Sequence, residues 1–368
     1  MKKLFFLFLF LNVVTHFLLP EEKKILRLTF LGDIMAHTVN YLMQDYHPIY
    51  NRIKDVLIED DLTFANLEFT IDDSRPYSSY PRFNVHSDYV QAAVDCGVDV
   101  FSLANNHSFD LGTEGVLQTL LASYRLRTAA GREIYFSGIR GNLKQDFEPE
   151  VIYISGFKIG FLAVTQISNL YQPFQYIHVV NYRDRREVDS FLEYLREEVS
   201  GFELFILSYH GGREYSLTAE PEKMRFFREL LAAGVHIIYG HHPHVMQPVQ
   251  LIKMGDRNGL IIPSVGNFIS AMTRDIDPGM ANEPMAFTGE SALFIVEVGL
   301  GRGEATVLRV EPVFISNCLN ENGEIVVDKL ERLKEQQQEG GWPGYYKERY
   351  RIVTEMFSSK KSKQNVLQ

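Results

Sequence analysis

Five short segments carry residues able to bind a metal ion or move a proton: Gly32-Asp33, Asn66-Leu67-Glu68, Asn105-Asn106-His107, His210-Gly211-Gly212 and His241-His242-Pro243-His244. Imidazoles mixed with carboxylates and an amide oxygen suit zinc, manganese or iron rather than a thiolate-selected metal, and four histidines disfavour calcium. A carboxylate shared by two such ions holds them about 3.5–4 Å apart, and the pair activates water for attack on phosphorus while clamping the attacking and leaving oxygens. In His242-Pro243-His244 the proline stiffens the loop, and the i, i+2 spacing aims both rings at one centre; the competing reading is a turn with two solvated histidines.

Each segment follows an apolar run that reads as a strand: 26–31, 62–65, 98–103, 204–209 and 235–239. Open α/β sheets place their ligand sites just beyond such strand ends. Helical patterns at 48–58, 88–96, 113–124, 187–199 and 221–233 alternate with these strands. A hairpin pattern follows at 151–154 and 157–164, and further strand runs occupy 247–254, 260–263, 293–298 and 305–314. The fold class implied is α/β, a two-sheet β-sandwich flanked by helices.

The chain has 368 residues, 45% of them hydrophobic and 23% charged, which predicts a packed globular core. Its formal charge of −10 supplies no basic field for nucleic acid, so an anionic substrate needs a local cation. Cys96 and Cys318 are too far apart in sequence to suggest a zinc ribbon and read as buried thiols. Lys2 and Lys3 precede an apolar run at 4–19, closed by Pro20 and Glu21 without a small-residue cleavage pattern. Residues 1–20 therefore read as a signal peptide or signal anchor, placing the remainder at the outer face of the membrane, in the periplasm or outside the cell. The main domain is expected at 25–315. From about Asn317 the pattern becomes a polar linker, two charged helical patches and a basic end, a C-terminal appendage at 316–368.

Taken together, Gly32-Asp33-Ile34-Met35, Asn66-Leu67-Glu68, Asn105-Asn106-His107 with Asp110 and Gly112, His210-Gly211-Gly212-Arg213-Glu214, the run from Gly240 to Gln247, and Ser264-Val265-Gly266-Asn267-Phe268 resemble the ordered blocks of the poly-γ-glutamate capsule synthesis family (CapA/PgsA). The resemblance spans roughly residues 25–315 and implies a fold similar to calcineurin-like metallophosphoesterases, held at the membrane. It implies one divalent metal on Asp33, Glu68 and His244, a second on Glu68, Asn106, His210 and His242, and His107 as general acid. The alternative role for His107 is a structural hydrogen-bond donor.

Two positions depart from the wider phosphoesterase pattern. Met35 stands where that pattern has a histidine, and Glu68 replaces the bridging aspartate with a side chain one methylene longer. His37 lies two places beyond Met35 and is expected to point elsewhere. Glu214 reads either as support for His210 or as a solvated turn residue, and Asn267 either as lining the cleft or as turn chemistry. His47, His86, His178 and His236 are expected to be structural. The segment 77–83 reads as a surface loop or a lid over the cleft.

The function implied is an exported or membrane-tethered metal-dependent hydrolase or transferase acting on a phosphoester or an anionic polymer such as poly-γ-glutamate. Its partners would include capsule synthesis or export subunits. The alternative is a non-catalytic subunit that binds or guides the polymer.

Overall fold

The computed structural model describes residues 24–141, 147–155, 157–171, 176–301, 304–336 and 341–358. The expected leader at 1–20 and the basic end lie outside the described residues. The strands are β1 (Lys24–Ile34), β2 (Leu62–Leu67), β3 (Thr70–Ile71), β4 (Asn84–Val85), β5 (Val100–Ser102), β6 (Tyr135–Ser137), β7 (Glu150–Ile154) and β8 (Phe157–Thr165). They continue as β9 (Leu204–His210), β10 (Ile237–His241), β11 (Gln250–Met254), β12 (Arg257–Ile262), β13 (Asn267–Ile269), β14 (Glu290–Gly301), β15 (Glu304–Leu319) and β16 (Ile325–Lys329).

One sheet runs β16-β15-β14-β1-β2-β5-β6, with β13 pairing the end of β1, and the other runs β11-β12-β10-β9-β8-β7. Alternation along the central strands makes this a sandwich, because successive side chains face opposite sides of a sheet. Phe30 and Phe64 of the first sheet and Phe161, Ile206 and Tyr239 of the second share the core between the sheets, with Phe30 and Tyr239 ring centroids 5.0 Å apart. Their neighbours Leu31 and Ala65 face outward into a second core with the Ser87–Asp95 helix. On the other side Leu207 and Tyr209 pack with the Arg185–Glu198 and Pro221–Ala232 helices. The expected two-sheet α/β sandwich is the observed fold.

Differences lie at short or polar elements. The 48–58 pattern forms two short helices, Pro48–Asn51 and Lys54–Leu57. The polar linker expected from about Asn317 is instead the end of β15, which pairs antiparallel with β16. The charged patch beyond it forms the Trp342–Ser358 helix, which buries Tyr345, Tyr346 and Val353 in the central core. Arg349 on that helix is fully buried, with Nε 2.9 Å from Glu290 Oε2 on β14. Composition misleads here because the buried arginine is neutralised by a residue 59 positions away.

Candidate metal centre

Two glycines permit the seam between the sheets on which the site is built. A Cβ on Gly32 would sit 2.0 Å from Gly266 O, and one on Gly240 would sit 2.0 Å from Pro263 O. With hydrogen there instead, the 263–267 loop threads between β1 and β10: Asp33 N–H donates to Gly266 O at 3.0 Å and Val265 N–H to Gly240 O at 3.1 Å. β13 then places Asn267 beside Asp33 in parallel register, while β9 and β10 align His210 with His241. Five strand ends thus meet at one pole of the sandwich.

Asp33, Glu68, Asn106, His210, His242 and His244 all come together there, each buried. Ligand-capable atoms of Asp33, Glu68 and His210 lie within 4.8 Å of one another, as do those of Glu68, His242 and His244. Glu68 belongs to both triads: its Oε1 is 3.8 Å from His210 Nε2 and 3.9 Å from His244 Nε2. Asn106 Oδ1 lies 2.8 Å from His210 Nε2, so both atoms point to the same place. His210 lies beside Glu68 and Asn106, and His244 lies beside both carboxylates, with Nδ1 3.6 Å from Asp33 Oδ2 and Nε2 3.9 Å from Glu68 Oε1.

Hydrogen bonds orient these donors. Asn267 Nδ2 donates to Thr288 O at 3.1 Å, which turns Oδ1 toward His244 Nδ1 at 2.9 Å. Asn267 therefore supports a donor rather than serving only a turn. Asn66 Nδ2 donates to Asp33 Oδ1 at 2.8 Å. His242 and His244 adopt φ of 91° and 57°, a region bulky residues rarely occupy, and such strain persists where surrounding structure enforces it at functional sites.

The electrostatics separate the two carboxylates. Burial pushes Glu68 well above the ordinary carboxylate range, reinforced by Asp33. Burial also acts to raise Asp33, but His241 and then His244 hold it well below that range. His242 is lowered to about 3 by burial and by His244, leaving a neutral ring. On His244 burial opposes the charge, yet Glu68 and Asp33 raise it to about 9.

The donors fit a divalent ion. Both carboxylate oxygens of Glu68 are buried without a hydrogen-bond partner, a costly state that a cation would relieve. Oxygen and imidazole ligands in this ratio match the zinc, manganese and iron class.

Beside the donors, His107 Nδ1 lies 2.7 Å from Asp110 Oδ2. The same Asp110 oxygen accepts the Phe83 N–H at 2.8 Å, and the Phe83 ring meets His107 edge-on. A cavity of about 460 Å³ opens above this pair, lined by Tyr80, Arg82, Asn106, Asn169 and Glu214 among others. Part of the 77–83 segment is therefore a wall of the cleft. Glu214 stands at its exposed rim, with Oε1 4.0 Å from His242 Nε2, so its histidine neighbour is His242 rather than His210. His37 does not replace the histidine missing at Met35: it belongs to neither triad, and its Nδ1 accepts the Ala271 N–H at 3.2 Å.

Three further residues, to which the sequence assigned no role, serve the site. His241 Nδ1 lies 2.9 Å from Asp33 Oδ1 and is the strongest influence holding that carboxylate ionised; its strand-end position was a usable signal. Asn169 Oδ1 accepts from Asn106 Nδ2 at 3.3 Å, and its amide lies 3.4 Å from both His107 ring nitrogens, with no motif to announce it. Asp110 stood in a recognised block without an assigned task.

Fold and site define a two-sheet α/β protein with a buried carboxylate–imidazole centre beneath an open cleft. Residues 27–272 match the family model described as bacterial capsule synthesis protein PGA_cap, and the chain belongs to that family. It is 26% identical to the capsule biosynthesis protein CapA of Bacillus anthracis, over 77% of this chain and 69% of the relative. It is 24% identical to the PGA biosynthesis protein CapA of Bacillus subtilis, over 78% and 72%. Among solved structures, the calcineurin-like phosphoesterase YfkN from Bacillus subtilis aligns over 90% of this chain and 98% of its own, at 11% identity and a TM-score of 0.45.

Proposed function

We propose that this member of the capsule synthesis family is a metal-dependent hydrolase or transferase acting on a phosphoester, or on an amide or ester of an anionic polymer such as poly-γ-glutamate. The observation that carries this reading is the sharing of Glu68 by two donor triads, next to the His107–Asp110 pair at the floor of an open cleft. Asp33, Glu68, Asn106, His210, His242 and His244 would hold one or two divalent ions. When bound, these supply Lewis-acid activation of water and charge for the leaving oxygen.

The chain's own groups do the rest. Asp110 fixes the His107 ring so that Nε2 can deliver a proton to a leaving group in the cleft. Arg82 lines the cleft, and its guanidinium would receive an anionic group of the substrate. The expected leader would hold the protein at the outer face of the membrane, in contact with capsule synthesis or export subunits. A relative from Mycobacterium tuberculosis, 22% identical over 52% of each chain, is named a probable polyglutamine synthesis accessory protein. Among the described residues no helix is long and apolar enough to cross a membrane.

The test is metal content of the purified full-length chain, followed by a phosphodiester and polymer-cleavage screen on the same preparation. At least one tightly bound transition metal is expected, lost in His242→Ala, together with turnover that disappears in His107→Ala while metal remains. Less than one equivalent, unchanged in His242→Ala, would refute the reading. A second reading, a non-catalytic polymer-binding subunit, is favoured by Met35, which is buried in the core where the wider pattern has an imidazole. It predicts metal without turnover, and altered polymer retention in Glu68→Ala.

A further inference from the structure

Lys223 breaks three local rules at once. It is 1% exposed, although a lysine is almost never fully buried without a paired charge. It sits in the first turn of the Pro221–Ala232 helix, the end whose dipole disfavours a cation. Among the described residues no carboxylate lies within ion-pair distance of it; instead Nζ donates to two main-chain carbonyls, Gly211 O at 2.6 Å and Pro263 O at 2.9 Å. The Phe227 ring centroid, 5.4 Å from Nζ, adds a weak cation–π contact, and violations of this kind are expected at functional sites.

The two carbonyls show what the lysine does. Gly211 follows His210 at the end of β9, and Pro263 follows the end of β12. β10 lies between these strands and ends in His241, followed by His242. The Pro263 carbonyl is also the group that abuts Gly240, so it is wedged between that glycine and Lys223 Nζ. Lys223 therefore links the strand ends on either side of β10, immediately below the strained His242 turn. The loop it holds through Pro263 continues to Gly266, whose carbonyl accepts the Asp33 N–H.

We infer that Lys223 is a positioning residue for the metal centre: its Nζ, donating to both carbonyls, ties the ends of β9 and β12 together and so holds His210, His242 and Asp33 in a ligand-ready arrangement. This rests on the metal-centre reading above. Without the tie, the two outer strand ends relax independently, and part of the binding energy of a metal goes into gathering its ligands.

The experiment titrates the metal-stripped full-length chain with Zn²⁺ and with Co²⁺, comparing wild type, Lys223→Met and Lys223→Gln, with thermal unfolding of the metal-free forms in parallel. Lys223→Met keeps an unbranched apolar stem out to Cε and removes the nitrogen, and Lys223→Gln restores hydrogen-bond donors on a side chain one bond shorter than lysine's. The expected result is metal binding at least tenfold weaker and a changed Co²⁺ absorption spectrum in Lys223→Met, partial recovery in Lys223→Gln, and a loss of affinity that does not follow the unfolding temperature. Wild-type affinity and spectrum in Lys223→Met would overturn the role. Should the methionine variant not fold, wild-type affinity and spectrum in Lys223→Gln, whose side chain is one bond shorter than lysine's, would overturn the role. A wild-type chain that takes up neither metal would overturn the metal centre itself, a separate failure.

Discussion

The Asp110 carboxylate meets the His107 imidazole at 2.7 Å, and through the same oxygen it also holds the backbone of Phe83 in the cleft wall. One carboxylate thereby sets both the orientation of the proposed acid and the wall of the cavity it faces. Asp110→Asn is expected to lower kcat on a phosphodiester by about 10²–10⁴-fold with metal content unchanged, the range for a lost or mis-set general acid. Steady-state kinetics with metal analysis of the same sample decides it, and an unchanged kcat would leave His107 a structural donor.

Against burial, Glu68 and Asp33 raise His244 to about 9, so its ring holds a proton in the metal-free site. A metal must displace that proton, so affinity should fall by about tenfold per pH unit below that value. Calorimetric titration in two buffers of different ionisation enthalpy measures the release. Glu68→Gln removes the leading charge that raises His244, so it should reduce the release at neutral pH and weaken binding. Uptake with no proton release would contradict this protonation state.

His236 Nδ1 accepts the Phe205 N–H at 3.0 Å, and burial lowers the ring to about 3. His178 is buried with Nδ1 facing Ala163 O and is lowered to about 4. Both rings bind a proton less readily folded than unfolded. Their stabilisation is complete above the unfolded value of about 6.5 and is lost as pH falls toward those lower values. Each should cost about 2 kcal/mol between pH 7 and pH 5. Urea unfolding at the two pH values measures this, and His236→Gln should show a flatter dependence than wild type.

Arg349 and Glu290 join the C-terminal helix to β14 through a pair with no solvent access. Arg349→Met leaves a buried carboxylate alone and should destabilise the fold by about 3–5 kcal/mol, with the double variant Arg349→Met/Glu290→Gln recovering much of it. Denaturant midpoints of the three proteins test this. An unaffected single variant would mean that the helix is dispensable for the core.

The sequence by itself determined which chemical groups this protein would gather and roughly where. Asp33, Glu68, Asn106, His210, His242 and His244 stand at or just beyond strand ends because alternating apolar runs and the polar residues that follow them are local signals, legible without partners. The sandwich was readable for the same reason, from apolar strand runs alternating with helical patterns and from the further strand runs at 247–254, 260–263, 293–298 and 305–314. Only the tertiary structure decided that His241 holds Asp33 ionised, that Asn169 steadies Asn106, and that a lysine lies beneath the histidine turn. These facts depend on strand order and on the distance between two sheets, which are set by packing among residues far apart in the chain. The C-terminal helix was expected, but its burial was not legible, on the same grounds: Arg349 is polar in isolation and becomes core only when Glu290 comes to meet it.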